Sequence, residues 1–284
     1  MQLPTLLTIF VLALVQGAAE LLPVSSSAHV IIVEKLMRLD PTSPAMTFLL
    51  VMLHTGTMFA VLFYFWPRWK KRLKEAGASG FHFVKMLLIA TACTGVLGFG
   101  LKKLIEKAIL GGGSHAEVES LFGNLPLIAA SLFAVGLFIV ASGTRKTQKA
   151  GSRLDSTHSV WIGLIQGLCL PFRGFSRSGA TISTALFAGI SKEMAEDFSF
   201  ALAVLLTPPV IVIELHRFLK AMPGTTVVSH SLAWGSIGMI FSFGAGLLAL
   251  KLLSSWLENG RWKYFGYYCF AASLGVLAVY SLGF

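Results

Sequence analysis

The sequence predicts an all-α polytopic membrane protein with six transmembrane helices plus two re-entrant helix pairs, arranged as an inverted repeat. Three observations predict it. Of 284 residues, 55% are hydrophobic and only 13% charged, too apolar for a soluble domain of this length. Six stretches are apolar over about the 20 residues that one bilayer crossing consumes. Two further apolar regions, Leu3–Met37 and Val160–Ile190, are each interrupted near the middle by Pro, Gly and hydroxyl residues. Neither interrupted region reads as one continuous span.

In chain order, Leu6–Val15 has the look of a secretory h-region, but Met1 and Gln2 supply no basic start. The polar Gln16, Glu20 and Ser25 to Ser27 then run directly into Val30–Val33, so the segment reads as retained. Spans follow at Met46–Trp66, Val84–Leu101 and Leu121–Ser142. The second broken region comes next, and then spans at Phe198–Leu215, Leu232–Leu252 and Tyr264–Phe284. Each broken region is expected to form two short helices meeting at a polar break, because irregular backbone at membrane depth needs burial in protein or a water-filled cavity.

Loop charge orients the spans. Pro67–Lys85 carries Arg68, Lys70, Lys71, Arg72, Lys74 and Lys85 against Glu75, and Gly143–His158 carries Arg145, Lys146, Lys149 and Arg153 against Asp155. Both are expected on the cytoplasmic side. Glu34–Ala45 and Lys102–Ser120 balance their charges, as external loops do, whereas Ser191–Asp197 is acidic where the scheme needs an internal loop. Leu14-Val15-Gln16-Gly17 matches Leu164-Ile165-Gln166-Gly167 at an offset of 150 residues, and Ser26 matches Ser176. One re-entrant pair plus three crossings is an odd number of passages, so the second half is expected upside down relative to the first, as in many transport proteins. The expected organisation is a single membrane domain over residues 1–284, with halves 1–142 and 143–284 and the two breaks facing each other.

The net charge of +10 is read as cytoplasmic loops meeting anionic lipid, not as a nucleic-acid footprint. Cys93, Cys169 and Cys269 are odd in number and widely spaced, which leaves neither a disulfide framework nor a CxxC metal site.

Chemistry concentrates at the breaks. Gln16 and Glu20 are four apart and share a helix face, and an ionisable residue inside an apolar segment marks function. After Pro23, capping of the next helix accounts for one of Ser25, Ser26 and Ser27. The others serve a ligand with His29, three residues beyond Ser26 on the same face, either as nucleophile and base or as donors. The second break holds Arg173, Gly174, Ser176, Arg177, Ser178 and Thr181. Ser178 is expected to cap the following helix, whose positive end joins the Arg177 guanidinium in an anion site. Arginines beside hydroxyls at membrane depth favour phosphate, which they grip in a bidentate manner. His54, Glu214, Glu193, Glu196 and Asp197 read as packing or solvated-loop residues, and Lys102-Lys103 with Gly111 to Gly113 lacks the context of a P-loop.

The two breaks resemble the paired motifs of the undecaprenyl-diphosphate phosphatases, the bacitracin-resistance family of bacterial inner-membrane enzymes. Gln16 and Glu20 match its Glu/Gln-x-x-x-Glu, and Pro23, Val24, Ser25, Ser26 and His29 match its Pro-Val-Ser-Ser-x-x-His. Ser176, Arg177, Ser178, Gly179 and Thr181 match its Ser-Arg-Ser-Gly-x-Thr. Ala28 stands where many members have Gly, and Phe172 and Arg173 separate Pro171 from Gly174 where the pattern is commonly Pro-Gly-x-Ser.

The resemblance implies hydrolysis of undecaprenyl diphosphate to the monophosphate carrier and inorganic phosphate, which recycles the carrier for cell-wall synthesis. It implies a multi-pass protein of the inner membrane with the site facing the periplasm, assisted by a divalent cation, Mg2+ or Ca2+. Glu20, Ser26, His29 and Arg177 are then the catalytic set, and Gln16, Ser25, Ser27, Arg173, Ser176, Ser178 and Thr181 bind substrate. Glu20 with Gln16 binds the cation or a proton, Ser26 is nucleophile or donor, and His29 activates it or water. The implied partners are the polyprenyl diphosphate lipid and membrane lipids, with no nucleic acid and with a homo-oligomer left open. The rival reading is a transporter or flippase of a lipid phosphate or small anion, which the same repeat architecture would serve.

Overall fold

The computed structural model describes residues 5–39, 44–74, 77–108, 121–145, 154–221 and 225–283. Among them the chain forms ten helices and no strand: α1 (Leu6–Leu21), α2 (Ser26–Leu36), α3 (Pro44–Lys74), α4 (Gly77–Ala108), α5 (Leu125–Thr144), α6 (Ser156–Cys169), α7 (Arg177–Phe187), α8 (Lys192–Ala221), α9 (Thr225–Glu258) and α10 (Lys263–Ser281). The order of two short helices, two long ones and one of intermediate length occurs twice. Both broken regions are helix-break-helix, as expected. Six helices are long and apolar enough to cross a membrane, within Met46–Lys74, Gly80–Ala108, Leu125–Thr144, Lys192–Lys220, Ser231–Glu258 and Lys263–Ser281.

Several of these helices outrun the apolar stretch that a bilayer needs. The basic loop expected at Pro67–Lys85 is instead mostly helix, because α3 continues to Lys74 with Pro67 inside it and α4 resumes at Gly77. The acidic loop expected at Ser191–Asp197 is the first turn and a half of α8. The same residues explain both corrections. Arg68 Nη2 donates to Glu196 Oε2 at 3.1 Å, Arg68 Nε lies 3.1 Å from Asp197 Oδ1, and Arg72 Nη2 donates to Asp197 Oδ2 at 2.8 Å. Glu196 also accepts from Ser254. Glu196 and Asp197 are therefore not solvated-loop residues: both are buried, and their charges are matched by arginines from the basic end of α3. The acidity of this segment thus fits a place beside the basic one. Loop residues 40–43, 109–120 and 146–153, which carry part of the charge pattern and Gly111 to Gly113, lie outside the described residues.

Removing one partner of a buried charge pair strands the other. Asp197→Ala is expected to destabilise the folded protein by about 2–3 kcal/mol, below the figure for a fully buried pair because both arginines keep some solvent contact. Thermal unfolding in detergent reads this directly, and an unchanged midpoint would remove the network from the stability account.

Two compact units are each assembled from separated stretches: Met1–Leu22, Ser26–Trp66 and Ala203–Leu253 in one, Pro23–Ser25, Pro67–Leu202 and Ser254–Phe284 in the other. The first unit centres on Ile9, Leu12, Ala13, Val30, Met46, Leu49 and Leu53, from α1, α2 and α3. In it α1 meets α9 where Gly17 lacks a side chain: a Cβ there would lie 2.7 Å from the Ser242 carbonyl oxygen and from Ala245 Cβ. In the second unit α6 meets α4 at the matching Gly167, whose Cβ would lie 3.0 Å from the Thr94 carbonyl oxygen and from Leu97 Cβ. Also in the second unit, Ser273 donates to the Ala129 carbonyl at 2.8 Å and Phe133 faces Phe270 at 5.0 Å. Partner numbers fall along α10 as they rise along α5, so these two helices run antiparallel.

At the start of α6, outside the spans, Asp155 caps the helix by accepting from the His158 amide at 2.9 Å. That amide holds the Asp155 carboxyl below the usual carboxylate range. The cap is therefore intact at neutral pH and is lost only as acidification passes through the lowered value.

Candidate active site

The first break begins where α1 ends at Leu21, the Leu22 amide closing the helix on the Ala18 carbonyl. Gln16 and Glu20 share one face of its last turns, as their spacing requires. Gln16 is buried, and its Nε2 donates to Glu20 Oε2 at 3.1 Å. Ser26, the first residue of α2, donates from Oγ to the same carboxylate oxygen at 2.5 Å. An O–H···O bond that short to a carboxylate oxygen belongs to the strong class. The structure therefore brings Gln16, Glu20 and Ser26 together on one oxygen. Ser27 and His29 follow in the first turn of α2, both half-buried, with His29 one turn from Ser26.

A residue read from the sequence as packing joins this cluster. His54 of α3 places Nε2 3.6 Å from Glu20 Oε2, and its Nδ1 lies 2.8 Å from the Leu50 carbonyl oxygen. The only sequence signal was an ionisable group within an apolar span, since nothing in the spacing between residues 20 and 54 indicates contact.

The tip of the first break has an unusual backbone. Ser25 is buried and takes φ 66°, the left-handed region, which costs a non-glycine residue about 1–2 kcal/mol. Replacement by glycine relieves that cost. If the Ser25 hydroxyl contacts substrate, Ser25→Gly raises the unfolding temperature while lowering phosphatase turnover. A variant that is more stable and fully active would limit Ser25 to shaping the turn.

In the second unit the segment Pro23–Ser25 lies beside the second break. A Cβ on Gly179 would be 3.3 Å from Pro23 Cβ, and Cys269 Sγ donates to the Pro23 carbonyl at 3.4 Å. Pro171 to Phe175 turn through Gly174 at φ 97°, where a Cβ would also be 2.5 Å from the Ile128 carbonyl oxygen. Glycine is the residue that meets both demands. The cap of α7 is Ser176 and not Ser178: Ser176 Oγ accepts from the Gly179 amide at 3.2 Å, the bond available at the residue preceding the helix. Ser178 sits inside the first turn with its Oγ 3.4 Å from Ser176 Oγ, both buried. Arg177, half-buried, is the first residue of α7, so its charge adds to the positive end of the helix dipole.

Two expected ligand residues have other partners. Thr181 is fully buried and bonds the Arg177 carbonyl at 2.9 Å and Ser199 Oγ at 2.5 Å, tying the first turn of α7 to α8. Arg173 lays its guanidinium over the Phe122 ring at 4.3 Å, a cation–π contact that settles its long side chain. Ser199 carried no distinguishing signal in the sequence.

Among the described residues no three His, Cys, Asp or Glu side chains form a metal-binding group. A cation here would rest on the Glu20 carboxylate and take further oxygens from water and phosphate, which suits a hard divalent ion. Gln16, with its amide donated to Glu20, orients the carboxylate.

A family model described as "Bacitracin resistance protein BacA" matches residues 9–275. The chain is similar to Undecaprenyl-diphosphatase 2 of Acinetobacter baylyi, at 57% identity over 281 residues covering 96% of this chain and 98% of that protein. It is 32% identical over 278 residues to the Undecaprenyl-diphosphatase of Desulfosudis oleivorans, covering 92% and 93% of the two chains. It is 30% identical over 284 residues to that of Korarchaeum cryptofilum, covering 95% and 97%.

Proposed function

Because the chain belongs to the bacitracin resistance protein BacA family, we propose that its two breaks act on undecaprenyl diphosphate, hydrolysing it to undecaprenyl phosphate and inorganic phosphate. The observation that carries the reading is the 2.5 Å bond from Ser26 Oγ to Glu20 Oε2. A hydroxyl so engaged is one proton transfer from being a nucleophile.

Ser26 Oγ attacks the terminal phosphorus, Glu20 takes its proton, and the bond to the bridging oxygen breaks to release undecaprenyl phosphate. His29, one turn along α2, then takes a proton from water, which displaces phosphate from Ser26 while Glu20 returns its proton to Ser26 Oγ and restores the hydroxyl. Arg177 and the N-terminus of α7 hold the non-bridging oxygens, where charge gathers in transfer. Ser176, Ser178, Ser25 and Ser27 supply donors, and Thr181 keeps the turn bearing Arg177 in place. Glu20 is the residue that would hold a divalent cation, which would supply neutralisation of charge on the diphosphate.

The same reading takes the two five-helix halves as inverted, which the antiparallel run of α5 and α10 and the matched glycine crossings support. It assigns the protein to the bacterial inner membrane, with the site open to the periplasm and the prenyl chain admitted sideways from lipid. The purified chain is expected to release phosphate from undecaprenyl diphosphate and to lose that activity to a chelator. In His29→Ala, attack by Ser26 survives while water activation is lost, so phosphate bound to Ser26 accumulates and is seen by mass spectrometry. An inactive His29→Ala carrying no phosphoserine would assign the attack to water directly.

A further inference from the structure

We infer that Ser199 is a positioning residue of the phosphoryl site: its hydroxyl donates to Thr181 on the neighbouring helix and, through it, fixes the backbone of Arg177 against α8. The inference rests on the phosphatase reading above, in which Arg177 holds the phosphoryl oxygens.

Proton counting sets the direction of the link. Thr181 Oγ1 lies 2.9 Å from the Arg177 carbonyl oxygen and 3.4 Å from that of Ser178. A carbonyl only accepts, so the single hydroxyl proton of Thr181 is engaged by the first turn of α7. The 2.5 Å contact between Thr181 Oγ1 and Ser199 Oγ is then a bond donated by Ser199. Back bonds from a threonine to the carbonyl four residues earlier are ordinary, and Thr91, Thr184 and Thr207 make them too. What distinguishes Thr181 is its second bond, which arrives from another helix. A hydroxyl that accepts while it donates is polarised, so the bond from Ser199 strengthens the hold on the Arg177 carbonyl. Thr181 and Ser199 are buried, at 0% and 4% exposure, so solvent does not substitute for either partner.

The two ends of this link differ in firmness. Helix α7 is 11 residues long and Arg177 is its first residue, a place where a short helix has few backbone bonds of its own. Helix α8 is held from several sides. Glu196 and Asp197, just before Ser199 in the chain, are buried and paired with Arg68 and Arg72 of α3, and Glu196 also accepts from Ser254 of α9. Ser199 therefore transfers the fixed position of α8 to the turn that carries Arg177. Placement matters there, because a shift of about 1 Å in a group that meets the reacting atoms costs about 10²-fold in rate.

The test measures phosphate release from undecaprenyl diphosphate and, by calorimetry, binding of methylenediphosphonate, both on the purified full-length protein. Ser199→Ala should lower kcat by about 10–10²-fold, raise KM by no more than about fivefold and weaken methylenediphosphonate by about fivefold. In an Arg177→Ala background the same change should alter kcat and affinity by less than about twofold, because Ser199 acts only through Arg177. Losses that multiply in the double variant, or a folded Ser199→Ala with unchanged kcat and affinity, would overturn the assignment. Should Ser199→Ala fold poorly, Ser199→Cys decides, since its thiol occupies nearly the same place but is a weak donor. A folded Ser199→Cys is expected to lose about three- to tenfold in kcat, and full activity refutes the link. Release that is indifferent to Ser199 removes the link and leaves the phosphatase standing. An unmodified chain that releases no phosphate removes the phosphatase, and a binding loss in Ser199→Ala that vanishes without Arg177 then still supports the link.

Discussion

Arg177→Lys is expected to lower phosphate release from undecaprenyl diphosphate by about 10²–10³-fold, and Arg177→Ala to lower it at least as far. Lysine preserves the charge but offers a point donor, whereas a guanidinium can hold two phosphate oxygens in a fixed plane. The loss should fall mainly on kcat, because charge on the phosphoryl oxygens is greatest in the transition state. Ser176 caps α7 and Thr181 braces its first turn, so the position of Arg177 is set by the backbone of the break. Steady-state kinetics on folded variants would check this, and a lysine variant with full kcat would reduce Arg177 to general attraction for an anion.

Glu20→Gln is expected to lower turnover by about 10²–10⁴-fold, the range for removing a positioned base. The amide is nearly isosteric and keeps the shape of the site, but it cannot take the proton of Ser26. Ser26→Ala should fall to the same floor, and the double variant should be no worse than either single one, because the pair acts as a unit. Losses that multiply in the double variant would separate the two residues.

Much of this fold is legible in composition. Six apolar stretches become six spanning helices because a bilayer leaves the backbone no other partner. The pairing of Gln16 with Glu20 is legible as well, since helical periodicity places them one turn apart, whereas the bond from Ser26 to Glu20 is set by the path of the break between α1 and α2. The ends of α3 and α8 are not legible. Local charge makes Pro67–Lys85 and Ser191–Asp197 look like loops, and only the pairing of Arg68 and Arg72 with Glu196 and Asp197 lets both remain helical. The cap of α7 is misread by two residues because Ser176 and Ser178 are equally good capping types, and the helix start decides between them. His54 is invisible for a different reason: its contact with Glu20 is made by packing α3 against α1, and a single histidine in an apolar span carries no record of its neighbour.

In the proposed reaction Glu20 and Ser26 of the first break and Arg177 of the second serve one hydrolysis. The most direct measurement is inorganic phosphate released from undecaprenyl diphosphate by the purified chain and by Glu20→Gln, Ser26→Ala and Arg177→Ala, with lipid binding followed in each. Release by the unmodified protein that collapses in all three folded variants, with lipid still bound by Glu20→Gln and Ser26→Ala, is the predicted result. No release from folded protein that still binds the lipid through Arg177 would contradict it and favour a carrier of lipid phosphate.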